Sequence, residues 1–90
     1  MVKRERLEVI RDILKIVKNK NNLIKRTPLL RYSNLSSQRF NEYYSELLEK
    51  NFIKESQDKK GKILISLTEK GYRFLEKYIL IVSFIDDFGL

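Results

Sequence analysis

The chain has 90 residues, 42% of them hydrophobic, with five Phe and five Tyr; that is core enough for one domain and too little chain for two. Nineteen Lys and Arg against twelve Asp and Glu give a net charge of +7 and a pI near 9.7, a balance suited to a polyanionic partner. With no Cys and no His, disulfides, thiolate metal sites, the usual general base and the usual pH switch are excluded.

Leu7, Ile10, Ile13, Leu14 and Val17 recur at three- and four-residue steps and predict a first helix from about Lys3 to Lys18. The charged opening lacks the apolar stretch of a secretory signal. The longest uncharged apolar run, Tyr78 to Ile85, is far short of the ~20 residues that span a bilayer. A soluble, cytoplasmic and nucleoid-associated protein is expected. Asn19 to Asn22 is a polar break. Thr27-Pro28 predicts the start of a short second helix, with Thr27 as its cap and Pro28 in its first turn. Ser33-Asn34-Leu35-Ser36 reads as a tight turn, Asn34 tolerating a left-handed backbone. Ser36 then caps a third helix that runs to about Lys50, and Asn51 suits the left-handed position beyond its end. Phe52 to Ser56 and the alternating Ile63, Ile65 and Leu67 predict two strands. Asp58-Lys59-Lys60-Gly61 joins them as a turn with Asp first and Gly fourth. Thr68 caps a last helix.

From Thr27 to Leu75 the predicted order is helix, turn, helix, strand, basic hairpin, strand, helix. That order points to a mainly α fold with a small β-hairpin: a winged helix-turn-helix, with a long C-terminal helix for dimerisation. Residues 1–68 form the helix-turn-helix part and 69–90 the dimerisation helix. The run Asn34-Leu35-Ser36, Leu47-Leu48-Glu49-Lys50, Phe52-Ile53 and Leu67-Thr68-Glu69-Lys70-Gly71, followed by Phe74-Leu75, resembles the small archaeal winged-helix DNA-binding proteins. Arg6-Leu7-Glu8-Val9-Ile10 and Asp12-Ile13-Leu14 resemble that family's first helix, so the likeness covers nearly the whole chain. The resemblance implies DNA binding and dimerisation through an antiparallel coiled coil of last helices. Asn51 departs from the glycine usual there.

The charge is uneven. Residues 1–62 hold 16 Lys and Arg against 8 Asp and Glu, a net of +8, while residues 63–90 hold 3 against 4, a net of −1. No acid lies between Asp12 and Glu42, where Lys15, Lys18, Lys20, Lys25, Arg26, Arg31 and Arg39 all fall. On a helical wheel Phe40, Tyr43, Tyr44, Leu47 and Leu48 of the third helix share one face and must meet the core. Ser37, Gln38, Arg39, Asn41 and Ser45 are left as candidates for DNA contact. Arg can bond guanine in bidentate fashion, Gln or Asn can do so with adenine, and the N-terminal part of a recognition helix meets the base edges. Glu42 and Glu46 would repel phosphates and oppose deep insertion, unless Glu42 accepts from a cytosine amino group. Lys54, Lys59, Lys60 and Lys62 on the hairpin, and Lys25, Arg26 and Arg31 around the second helix, suit the phosphate backbone. Solvated turns and edge strands are also commonly Lys-rich.

Phe74, Tyr78, Ile81, Ile85 and Phe88 step 4-3-4-3, a heptad seam that Leu75, Ile79 and Val82 widen. Large exposed apolar patches mark interfaces, so Phe74, Leu75, Tyr78, Ile81, Val82, Ile85 and Phe88 are expected between two copies. The competing reading packs this helix on its own first helix. An antiparallel pair would bring Asp86 and Asp87 near Arg73 and Lys77 of the other copy. No enzyme is expected: Asp86 and Asp87 are adjacent and diverge by about 100° on a helix, and Gly61, Gly71 and Gly89 form no phosphate loop. No cofactor, metal or small-molecule ligand is implied. The expected partners are double-stranded DNA and a second copy, in a transcriptional regulator or an abundant architectural protein of chromatin. From another class, the chain could be a winged-helix module that binds a protein of a transcription complex.

Overall fold

The computed structural model describes residues 2–90, with side chains from Glu5 onward. The elements in chain order are α1 (Val2–Asn19), β1 (Ile24–Lys25), α2 (Arg26–Ser33), α3 (Ser37–Glu49), β2 (Ile53–Gln57), β3 (Ile63–Leu67) and α4 (Glu69–Asp87). This is the expected winged helix-turn-helix: mainly helical, with a small sheet and a long last helix.

The sheet has three antiparallel strands in the order β1-β3-β2, one more than the hairpin expected. Ile24 pairs with Ile65 and Lys25 with Leu64. Two residues show no periodicity, so β1 left no pattern to read. Its presence moves the start of α2. Lys25 is extended (φ −82°, ψ 159°) and occupies the cap position without a side-chain cap bond, and Thr27 lies inside the first turn. The expected Thr27 cap is therefore corrected, while Pro28 remains in the first turn, where its missing N–H has no helical partner.

The turns depend on asparagine. The non-glycine residues with positive φ are Asn21, Asn22, Asn34 and Asn51; Asn tolerates this region better than other side chains. Asn51 ends α3 in a Schellman motif, its N–H reaching Leu48 O at 3.1 Å and the Phe52 N–H reaching Leu47 O at 2.9 Å. That motif delays β2 by one residue from the expected start. Asn22 Oδ1 accepts from the Leu67 N–H at 2.6 Å, which satisfies β3 beyond the end of β1.

The core draws on every element: Ile10, Ile13, Leu14 and Val17 of α1, Ile24, Leu29, Phe40, Tyr44 and Leu47, Ile53, Ile65 and Leu67, and Leu75 and Tyr78 of α4. Thr68 caps α4 as expected, accepting from the Gly71 N–H at 3.1 Å. In α4 full burial stops at Tyr78; Val82 and Ile85 are half-buried, and the other large apolar side chains beyond Tyr78 are exposed. Among the described residues no helix is long and apolar enough to cross a membrane.

Candidate nucleic-acid interface

The turn between α2 and α3 is fixed from both sides. Ser33 Oγ donates to Leu30 O at 2.6 Å and accepts from the Leu35 N–H at 3.3 Å. Asn34 is left-handed (φ 59°). Ser36 Oγ accepts from the Arg39 N–H at 3.2 Å, which satisfies one of the free donors of the α3 N-terminus.

The face of α3 follows the wheel. Phe40, Tyr44 and Leu47 are buried, whereas Ser37, Gln38, Arg39, Asn41, Glu42 and Ser45 are exposed. Tyr43 and Leu48 lie at the core margin, half-buried. The candidates then divide by partner. Ser37, Gln38 and Ser45 make no side-chain hydrogen bond or ion pair among the described residues. Arg39 is drawn toward α1: its guanidinium is 3.7 Å from the Glu5 carboxylate and 6.0 Å from the Tyr43 ring centroid. Asn41 turns to the opposite flank, where its Oδ1 accepts from Arg26 Nη2. Glu46 also faces α1, paired with Arg6 and, at 2.8 Å, with Lys50. The repulsion expected from Glu46 is thereby neutralised, and Glu42 is left as the acid in the N-terminal half of the exposed face.

Beside α3, the turn of the β2–β3 hairpin is organised by its acid. Asp58 Oδ1 accepts from the N–H groups of Lys60 at 2.8 Å and Lys62 at 2.9 Å. The Gly61 N–H closes the turn on Asp58 O at 3.0 Å, with Gly61 at φ +80°. The Lys62 N–H, with lesser help from the Lys60 N–H and the charges of Lys25 and Lys62, holds the Asp58 carboxyl below its ordinary value. Asp58 therefore stabilises the turn, and the lysines point outward. Lys54, Lys59 and Lys60 have no ion pair among the described residues. Lys25 joins this group because β1 lies at the edge of the same sheet, a proximity that sequence order does not reveal. Arg31 is exposed and without an ion pair among the described residues. Arg26 differs from the other cations around α2. Its guanidinium lies over the rings of Tyr44 (5.1 Å) and Phe40 (5.6 Å) as well as bonding Asn41.

A contact that sequence reasoning missed completes the group. The Tyr44 hydroxyl donates to Glu55 of β2 and so ties α3 to the hairpin. Burial, reinforced by the Glu55 bond and charge, pushes the Tyr44 phenol above the usual tyrosine range. The sequence marks Tyr44 only as a core position, and nothing local announces a strand acid as its partner.

The expected seam of α4 is corrected in part. Leu75 and Tyr78 are 8% and 9% exposed, buried in the chain's own core, and the Arg11 guanidinium sits 5.0 Å from the Tyr78 ring centroid. Phe74 packs edge-on against Phe52 at 5.4 Å. Val82 and Ile85 are half-buried in a groove shared with Leu7 and Arg11 of α1. The large apolar side chains that remain exposed on α4 are Ile79, Leu80, Ile81, Phe84 and Phe88. The reading in which α4 folds onto α1 thus holds along the side that carries Leu75, Tyr78, Val82 and Ile85.

The chain is similar to an uncharacterized protein of the archaeon Methanocaldococcus jannaschii, 37% identical over 76 residues. The match takes in 84% of this chain and 33% of that protein, so the chain spans about a third of its relative's length. The family model described as winged helix-turn-helix matches residues 3–84. That span contains the capped turn, the exposed face of α3 and the basic hairpin together, and the chain belongs to the winged helix-turn-helix family, whose fold serves DNA binding.

Proposed function

We propose that the chain is a sequence-preferring double-stranded DNA-binding protein that acts as a homodimeric transcriptional regulator. The observation that carries this reading is the set of exposed cations on β1, α2 and the hairpin, together with the exposed polar face of α3. Lys25, Arg31, Lys59, Lys60 and Lys62 are exposed, while the acids Asp58 and Glu46 are engaged within the protein. Cations so placed hold phosphates and orient the protein. Ser37, Gln38, Arg39, Asn41 and Ser45 then meet base edges. Arg39 exchanges its exposed Glu5 partner for DNA at little cost, since surface ion pairs of this kind are worth about 0–1 kcal/mol. Residues 1–68 carry the DNA contacts, and residues 69–90 carry assembly.

Two copies of α4 pair antiparallel, crossing near Ile81 and burying Ile81, Val82, Ile85 and Phe88 with Ile79 and Phe84. The support is the apolar surface that α1 leaves uncovered. An isologous pair covers that patch on both copies and closes. It also sets two recognition helices at a fixed spacing for two half-sites.

Full-length protein should be titrated with random and genomic duplexes across a salt series. The expected result is a log–log slope of roughly −0.9 per phosphate neutralised, with tighter binding to a subset of sequences. A flat salt dependence would overturn the DNA reading. Equal affinity for every duplex would replace the regulator with an architectural DNA-packaging protein, which needs only the basic surface.

A further inference from the structure

One contact outside the expected set joins α2 to α3. Arg26 Nη2 donates to Asn41 Oδ1. A guanidinium carries donors and no acceptor, so this bond fixes the Asn41 amide with its oxygen toward Arg26 and its NH2 group away. The guanidinium is itself restrained, stacked over Tyr44 at 5.1 Å and Phe40 at 5.6 Å. Phe40 is fully buried, and the Tyr44 hydroxyl is held by Glu55. Side chains from α2, α3 and β2 therefore hold one exposed amide in one orientation.

We propose that Arg26 is a positioning residue that sets base specificity, holding the Asn41 amide with its NH2 group outward so that it selects guanine or thymine over adenine and cytosine. The proposal rests on the DNA-binding reading above. An unrestrained Asn reads adenine by donating to N7 and accepting from the N6 amino group with the same amide. With its oxygen engaged by Arg26, Asn41 offers its N–H groups, and the remaining N–H groups of Arg26 extend the donor array. In the major groove guanine presents two acceptors and thymine one, adenine one acceptor beside a donor, and cytosine only a donor. Donors facing that pattern rank guanine and thymine first. Asn41 is the fifth residue of α3, within the N-terminal part of the helix that meets base edges in this docking mode.

The test is selection of bound duplexes from a random library by the full chain, with random-duplex affinity and circular dichroism measured in parallel. Wild-type protein should select guanine or thymine at one position of its site. Arg26→Leu leaves an apolar side chain on the two rings and frees the amide; that position should shift toward adenine by about tenfold in relative preference. Asn41→Asp keeps a partner for Arg26 but turns an acceptor outward, and the position should shift to cytosine. This second variant keeps the question answerable should Arg26→Leu misfold. Adenine selected by the wild type, or an unchanged preference in folded variants that still bind random DNA, overturns the proposal alone. So does a loss of affinity uniform across sequences, which would make the pair a phosphate contact. A wild type that binds no duplex removes the DNA reading and this inference with it.

Discussion

Gly71→Ala tests how the end of α3 is joined to α4. Gly71 is buried in the first turn of α4, and a Cβ placed there lies 2.3 Å from the Phe52 carbonyl oxygen. That oxygen is backbone and cannot rotate away. It already accepts from the Thr68 N–H at 3.1 Å. Around it Thr68 Oγ1 donates to Asn51 O at 2.5 Å, and Lys70 Nζ donates to Lys50 O at 2.9 Å. Ordinary contact begins near 3.4 Å, so the joint must open by roughly 1 Å, enough to break the Thr68–Phe52 bond and strain its neighbours. A net ~1 kcal/mol for each bond broken, and about as much for a disturbed cap, stand against the ~1 kcal/mol by which Ala is favoured over Gly in a helix. The expected outcome is a destabilisation of about 1–3 kcal/mol, or a Tm lower by roughly 5–20 °C for a domain of this size. Thermal and urea unfolding followed by circular dichroism measure it. Gly61→Ala is the comparison: nothing lies within 4 Å of its Cβ, so it should cost only the ~1 kcal/mol of a left-handed backbone. A Gly71→Ala protein as stable as wild type would refute the close approach and leave helix preference as the deciding effect.

Replacing Lys59, Lys60 and Lys62 together with Gln should weaken binding to every duplex and shrink the salt slope by about 0.9 for each phosphate no longer neutralised; an unchanged slope would place the backbone contacts elsewhere. The phenol of Tyr44 is raised in the folded state, so its contribution to stability is complete below the ordinary tyrosine value of 10.0 and declines as pH rises above it. Urea unfolding between pH 8 and 11 should therefore show a steeper alkaline loss for wild type than for Tyr44→Phe, and equal slopes would count against the buried bond to Glu55. Ile81→Asp with Phe84→Asp should convert dimers to folded monomers, because both side chains lie outside the protomer core, 49% and 56% exposed. Sedimentation that finds wild type already monomeric at micromolar concentration would end the assembly proposal.

The architecture was legible because each signal was local. Ser36 and Thr68 announce their helices one residue early, the Asp58 to Gly61 turn announces the hairpin, and the wheel of α3 separates Phe40 and Leu47 from Gln38 and Ser45. What stayed hidden depends on contacts distant in sequence. The strand β1 exists only because β3 pairs with it. Arg26 meets Asn41 fifteen residues away, and Tyr44 meets Glu55 eleven away. The heptad of α4 was real as a pattern, but periodicity records which side chains must be covered and not what covers them. Leu75 and Tyr78 are covered by the protomer itself, whereas Ile81 and Phe88 are not. The candidate site was legible as a set of exposed residues, and their orientations were not.

The placement of acids explains how a chain with only a moderate excess of cations can present a predominantly basic face. Along the acid-free stretch no carboxylate is available to pair locally, so Lys25 and Arg31 remain outward. Several acids near the candidate interface have structural partners instead. Asp58 is bound by the turn it stabilises, Glu55 by Tyr44, and Glu46 by Lys50 and Arg6. Glu5 sits beside Arg39 in an exposed pair that DNA can displace. Glu42 has no ion pair among the described residues and lies in the N-terminal half of the exposed face of α3, so it sets the limit on how α3 enters a groove. A carboxylate there repels phosphate but accepts from a cytosine amino group. On the proposed docking, Glu42 would set an acceptor beside the donor array of Arg26 and Asn41, so that adjacent positions of α3 would meet cytosine and guanine. That proposal favours a regulator, because a surface built only to package DNA has no need of such an acid.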